Sequence, residues 1–136
     1  MKISIVPTQY IDTCWDKVEP YLERAAHYTY GRYTVDDIKE CITQYDHQLW
    51  VAFEDKEIKG AVVTTFTFYP KRKNLVMVFC GGVELKTWKA PMLETLQRFA
   101  RDTDCDGIEA TARRGWAKIF KDDGYKSNWI TFELPV

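Results

Sequence analysis

The chain has 136 residues, a mass of 16.0 kDa and a formal net charge of -1, with 46% hydrophobic and 15% aromatic residues. That size and composition describe one globular domain able to bury a core without staples, and exclude a disordered chain. The near-neutral charge argues against a general nucleic-acid binder. The absence of a long apolar run argues against a membrane span, and the start "MKISIVPTQY" does not read as a signal peptide. The expectation is a cytoplasmic protein with no nucleic-acid or membrane partner.

In chain order, "ISIVP" reads as a short strand ended by Pro7. In "CWDKVEPYLERAAHYT", Trp15, Val18, Leu22, Ala25 and Ala26 recur at helical spacing, with Pro20 either starting the helix or kinking it. Thr34 caps "VDDIKECITQ", and Asp37 three residues later completes a capping box. Between the two helices, Tyr28, Tyr30 and Tyr33 in "YTYGRY" suit packing of the pair, an acceptor pocket or a partner surface.

The period then changes. "QLWVAFED", "IKGAVVTTFTFYP" and "LVMVFCGGVE" read as three strands of an antiparallel meander, and the last is apolar enough to be buried on both faces. In "APMLETLQRFARDTDC", Met92, Leu93, Leu96, Phe99 and Ala100 make a helical stripe, with Pro91 expected in its first turn. "IEATA" is a further strand. A last helix is expected from about Gly115 to Asp122, stopped by Gly124, before "SNWITFELPV" alternates as a closing strand. A strand–helix–strand unit requires a parallel crossover. The fold class is therefore α/β (α+β): a mixed, mainly antiparallel sheet flanked by helices on both faces, in one domain spanning residues 1–136.

The four cysteines, Cys14, Cys41, Cys80 and Cys105, have no Cys-x-x-Cys pairing, and His27 and His47 add no ligand spacing, so no metal site is expected. A thiol brought next to a histidine by the fold would still be a possible nucleophile.

This element order resembles the GNAT superfamily of acyl-CoA N-acetyltransferases. The resemblance covers nearly the whole chain and is carried by "LWVAFEDKEIKGAVVTTF", "MLETLQRFAR" and "FKDDGYK". It implies an acetyl-CoA cofactor and an amine-bearing small molecule or protein as acceptor. With "MLETLQRFAR" setting the register, the family's Gln/Arg place is Glu84 and its two glycine places are Thr87 and Lys89. Side chains there obstruct close approach to a pyrophosphate, while Lys86 and Lys89 supply charge, and Gly81 and Gly82 form either a shifted phosphate loop or a bulge. The resemblance also places backbone N–H groups from Phe79 through Cys80 to Gly81 at the acyl carbonyl. Arg113 falls at the family's Asn, and Phe120 at the Tyr that often protonates the leaving thiolate, a proton that Phe cannot give. Base candidates are Glu84, Glu54, Glu109 and His47.

The alternative is a non-catalytic domain of the same fold, used for binding or assembly, with Trp15, Trp88, Trp116 and Trp129 as candidate surface anchors. The "RRGW" stretch resembles tailed-bacteriophage proteins of this fold, which implies a virion-associated or host-modifying role. A third reading, an aminoacyl-tRNA as cofactor, has no residue in its favour.

Overall fold

A computed structural model describes residues 1–136 as β1 (Lys2–Ile5), α1 (Ile11–His27), α2 (Val35–Gln44), β2 (Gln48–Glu54), β3 (Glu57–Phe68), β4 (Lys73–Gly82), α3 (Leu85–Asp102), β5 (Gly107–Ala110) and α4 (Ala117–Asp122). The sheet order is β1-β2-β3-β4-β5. The first three pairings are antiparallel and β4–β5 is parallel, as the crossover through α3 requires. No helix is long and apolar enough to cross a membrane.

Strand alternation divides the apolar side chains between two cores. Val51, Ala61, Val63 and Phe79 point to one face, where Ile11, Trp15, Val18 and Leu22 of α1 and Ile38 and Ile42 of α2 cover them. Trp50, Ala52, Val62 and Leu75 point to the other, under Trp88, Met92, Leu96 and Ala100 of α3. Two of the tryptophans proposed as surface anchors, Trp15 and Trp88, are therefore core residues, at 6% and 2% exposure.

Local rules explain most boundaries. Thr34 accepts from the Asp37 N–H while the Asp37 carboxylate accepts from the Thr34 N–H, the reciprocal pair expected at the start of α2. Gly124 adopts φ +93° just beyond α4, a conformation costly for any residue with a Cβ. α1 runs unbroken through Pro20, which stands on the exposed side where solvent can serve the freed carbonyl.

Two expectations fail. α3 begins at Leu85, so Pro91 lies inside it rather than in its first turn. The apolar stripe begins only at Met92 because the first turns are anchored by a single large side chain, Trp88. The closing strand does not form: residues beyond Tyr125 make no backbone hydrogen bonds, and Trp129, Ile130, Phe132 and Leu134 are exposed. Alternation marks a segment able to form a strand, but pairing is a property of two strands, and this segment is not bonded to the sheet.

A buried polar relay crosses β2 and β3. The Trp50 indole N–H donates to Thr64 Oγ1 (2.9 Å), whose hydroxyl donates to Gln48 Oε1 (2.8 Å). Thr64→Val keeps the shape but orphans the indole, so the expected loss is about 1–3 kcal/mol in chemical denaturation, with Thr64→Ser retaining most of the stability. The Thr34 backbone and side-chain bonds hold the Asp37 carboxyl below its ordinary range. Its contribution is therefore complete above the ordinary carboxylate pKa and lost as pH falls through the lowered folded value. Asp37→Asn should flatten that acid limb of the stability profile.

Candidate functional site

The site begins where β4 and β5 part. Their pairing ends at Met77 opposite Ala110, followed by one bond from the Thr111 N–H to the Met77 carbonyl. The β3–β4 register shifts at the same level: Val63 faces Phe79 and Thr64 faces Met77, leaving Val78 as the extra, bulged residue. Beyond it, Phe79–Gly82 pair with β3 only, so β4 presents a free edge to a crevice. Phe79 turns its ring into the α1 core, edge-on to Tyr33 at 5.1 Å, while Cys80 lies on the α3 side.

The two glycines that end β4 face protein. A Cβ on Gly81 would collide with the Tyr21 carbonyl of α1, and one on Gly82 with Lys59, Gly60 and Trp88. They permit close packing rather than a shifted phosphate loop, and the bulge sits at Val78 instead. Trp88 fills the angle between α3 and the sheet, lying so close to Gly60 that any Cβ there would strike its ring, and its indole N–H donates to the Val83 carbonyl (2.9 Å).

At the start of α3, Glu84 caps the helix in a left-handed conformation (φ 53°). Its carboxylate is 2.6 Å from Lys59 Nζ, and the Glu84 and Glu57 bonds hold the Lys59 ammonium above its usual pKa. The Glu84 carboxylate is thereby matched by a cation. The Leu85 and Lys86 N–H groups have no acceptor in the protein, and Lys86 is exposed without an ion pair. Thr87 donates from both N–H and Oγ1 to the Glu84 carbonyl, which stiffens the cap. Lys89 is bound elsewhere, to Asp123 beyond α4 at 3.0 Å.

That ion pair draws α4 over the crevice. Trp116, Ile119, Phe120 and Tyr125 meet Met77, Cys80, Trp88 and Met92 around a slot of about 40 Å³. Phe120 stacks on Trp116 and touches Tyr125, with ring centroids 5.7 and 4.9 Å apart. Burial pushes the Cys80 thiol up to about 12. Burial, with Asp123 and Cys80 nearby, pushes the Tyr125 phenol up to about 12 as well. Tyr125 is the crevice residue that the sequence reading missed. Its place after Gly124 gave no signal that the chain folds back and returns a hydroxyl to the crevice.

The remaining candidates lie apart from this slot or are engaged. Glu109 accepts from Tyr69 (2.5 Å) and Asn74 (2.8 Å), and its bond to Tyr69 raises that phenol's pKa. His47 Nδ1 contacts the Tyr45 carbonyl, and Glu54 is exposed at the end of β2. No thiol hydrogen-bonds an imidazole, and no group of three metal-ligating side chains converges. Arg113 lies over the Tyr28 ring at 4.4 Å, while Tyr30 stands exposed. Of the "YTYGRY" aromatics, Tyr33 packs edge-on to Phe79 and Tyr28 lies under Arg113, and none of them lines the slot.

No known family profile and no curated protein matches the sequence. Solved structures do. The fold superposes on the ribosomal-protein-alanine N-acetyltransferase of Brucella melitensis biovar Abortus 2308 with TM-score 0.74 and 13% identity over all of both chains. A protein described as an acetyl transferase from Pyrococcus furiosus gives 0.70 and 16% over 99% of this chain and 100% of that one. A transcriptional regulator from Bacillus halodurans C-125 gives 0.68 and 16% over 99% of each chain. At such identities the likeness establishes the fold alone, the GNAT-like fold expected from the element order.

The Cys80 thiol yields a direct check of the closed crevice. Burial holds the proton on the Cys80 sulfur, so at pH 8 iodoacetamide should leave Cys80 unmodified in the folded protein and label it on unfolding. Mass spectrometry of the peptide containing Cys80 reads the outcome.

Proposed function

We propose that the protein is an acyl-CoA-dependent N-acyltransferase acting on an amine, with a crevice that α4 closes in the free state. The observation that carries this reading is the free edge of β4 beyond Val78, lying beside a slot that holds the protonated Tyr125 phenol.

The donor set fits an acyl-CoA. Leu85 and Lys86 offer unused N–H groups at the positive end of an 18-residue helix, and Lys86 adds a charge for the diphosphate. Met77, Met92 and Trp88 supply an apolar wall for the thioester arm. The glycine cradle of the family is absent, and a slot of about 40 Å³ has room for little more than a water, so the fit requires α4 to move. α4 suits that movement: it has six residues, none of them buried, and is tied to α3 by the Lys89–Asp123 pair.

The bound cofactor supplies the activated acyl group; the chain's residues supply position and a proton. Backbone groups at the free end of β4 are placed to polarise a carbonyl. Tyr125 Oη, one ring away from the family's expected Tyr at Phe120, keeps its proton at neutral pH and is the donor for a leaving thiolate. Glu84 serves the helix cap and Lys59 rather than a substrate proton.

A second reading, a binding module of the same fold, is favoured by one observation: the crevice is filled by the protein's own aromatic rings.

Acetyl-CoA at about 100 times its dissociation constant should stabilise the fold by about 2.7 kcal/mol, visible as a rise of several degrees in Tm. Thiol release with amine acceptors should fall about 100-fold or more in kcat for Tyr125→Phe, with little change in KM. A folded protein that shows no shift at millimolar acetyl-CoA is the binding module instead.

A further inference from the structure

Residues Ala112–Tyr125, which carry α4, make no backbone hydrogen bond to the rest of the chain. Their one ion pair to it joins Asp123 to Lys89 at 3.0 Å. Asp123 is also the most sheltered carboxylate in any ion pair of the protein, at 18% exposure against 54% or more for the others. Solvent and salt therefore screen this pair least. What else holds α4 is the stack of rings over the slot.

Lys89 belongs to the start of α3 as much as to this contact. It stands three residues after Lys86 and four after Leu85, spacings that make it a neighbour of both on the helix surface. Helical side chains lean toward the N-terminus, so an unpaired Lys89 reaches back toward the Leu85 and Lys86 amides, which have no acceptor in the protein. In the free chain its ammonium is held by Asp123 instead.

We infer that Asp123 is a resident counter-ion masking Lys89, and that a diphosphate bound at the start of α3 takes Lys89 from it and so releases α4. The inference rests on the acyl-CoA reading of that helix start. One ammonium does not stay in close contact with both anions. The diphosphate meets two free amides, Lys86 and Lys89 together, whereas the carboxylate meets Lys89 alone, so the exchange favours the ligand. Asp123, left without a partner in a sheltered place, moves to water and takes α4 with it. Because the ligand engages Lys89 only in the open state, its apparent affinity is weakened in proportion to the fraction of chains that are closed. The two partners of the pair therefore act in opposite directions on binding, which a merely structural ion pair does not do.

The test compares Asp123→Asn and Lys89→Met, which break the same pair, in titration calorimetry with inorganic pyrophosphate at constant ionic strength. Asp123→Asn should bind pyrophosphate about threefold or more tightly than the unaltered chain, and Lys89→Met about threefold or more weakly. Without ligand, both variants should let iodoacetamide label Cys80 about threefold faster or more. Saturating pyrophosphate, which leaves the slot empty, should speed that labelling in the unaltered chain as well. The proposal is overturned if none of the three chains binds millimolar pyrophosphate, or if Asp123→Asn binds it no more tightly than the unaltered chain. Cys80 labelling that pyrophosphate leaves unchanged in the unaltered chain overturns it too. Tighter pyrophosphate binding by Asp123→Asn, with no acetyl-CoA turnover on any amine, keeps the exchange of counter-ions and removes acyl transfer.

Discussion

The packing of the Trp88 indole against Gly60 and Gly82 sets the geometry on which the rest of the molecule depends. A ring of that size can lie flat on the sheet only where two strands carry no side chain, and any Cβ at Gly60 would collide with it. The contact fixes how closely the start of α3 approaches β3 and β4. Its N–H bond to Val83 fixes where β4 ends and the helix begins. The free amides of Leu85 and Lys86, the Glu84 cap and the wall that receives α4 all follow from that placement. The first two turns of α3 have little other apolar anchorage, and Pro91 removes a helix bond just beyond them, so the indole carries this end of the helix.

The crevice results from two departures from regular pairing at one level of the sheet. β5 stops opposite Met77, and Val78 bulges from β4. Ending one strand exposes an edge, and bulging the other turns it away, so the strands fork. α4 and the residue after its Gly124 stop then fill the fork with the rings of Trp116, Phe120 and Tyr125. A closed crevice of this kind keeps water from the free β4 edge while α4 remains on few contacts. Closure and opening therefore differ by little more than an ion pair and a stack of rings.

The sequence makes the architecture legible because its periods are unambiguous. The change from the helical spacing of Val18 and Leu22 to the β-branched run Val62, Val63, Thr64 and Thr65 locates the meander. The stripe from Met92 to Ala100 locates the crossover helix. The Thr34–Asp37 box marks the start of α2 to the residue. The site is less legible, for physical reasons. Gly81 and Gly82 look like a phosphate loop, yet a glycine required for close packing and one required for a ligand leave the same letter. Trp88 looks like an exposed anchor because it precedes the apolar stripe. Tyr125 belongs to a stretch that carries the family resemblance but gives no signal of its burial, which depends on a chain reversal. The segment from Ser127 to Leu134 alternates as a strand does, but strand formation is a property of two partners and the sequence of one cannot supply the other.

Amide hydrogen exchange of residues 85–92 and 117–125, with and without saturating acetyl-CoA, tests the account most directly. A crevice that opens by displacement of α4 predicts changed exchange in both segments together, slower at Leu85 and Lys86 where amides gain an acceptor. Unchanged exchange in both segments at millimolar acetyl-CoA would contradict it and leave the aromatic stack as a permanent core.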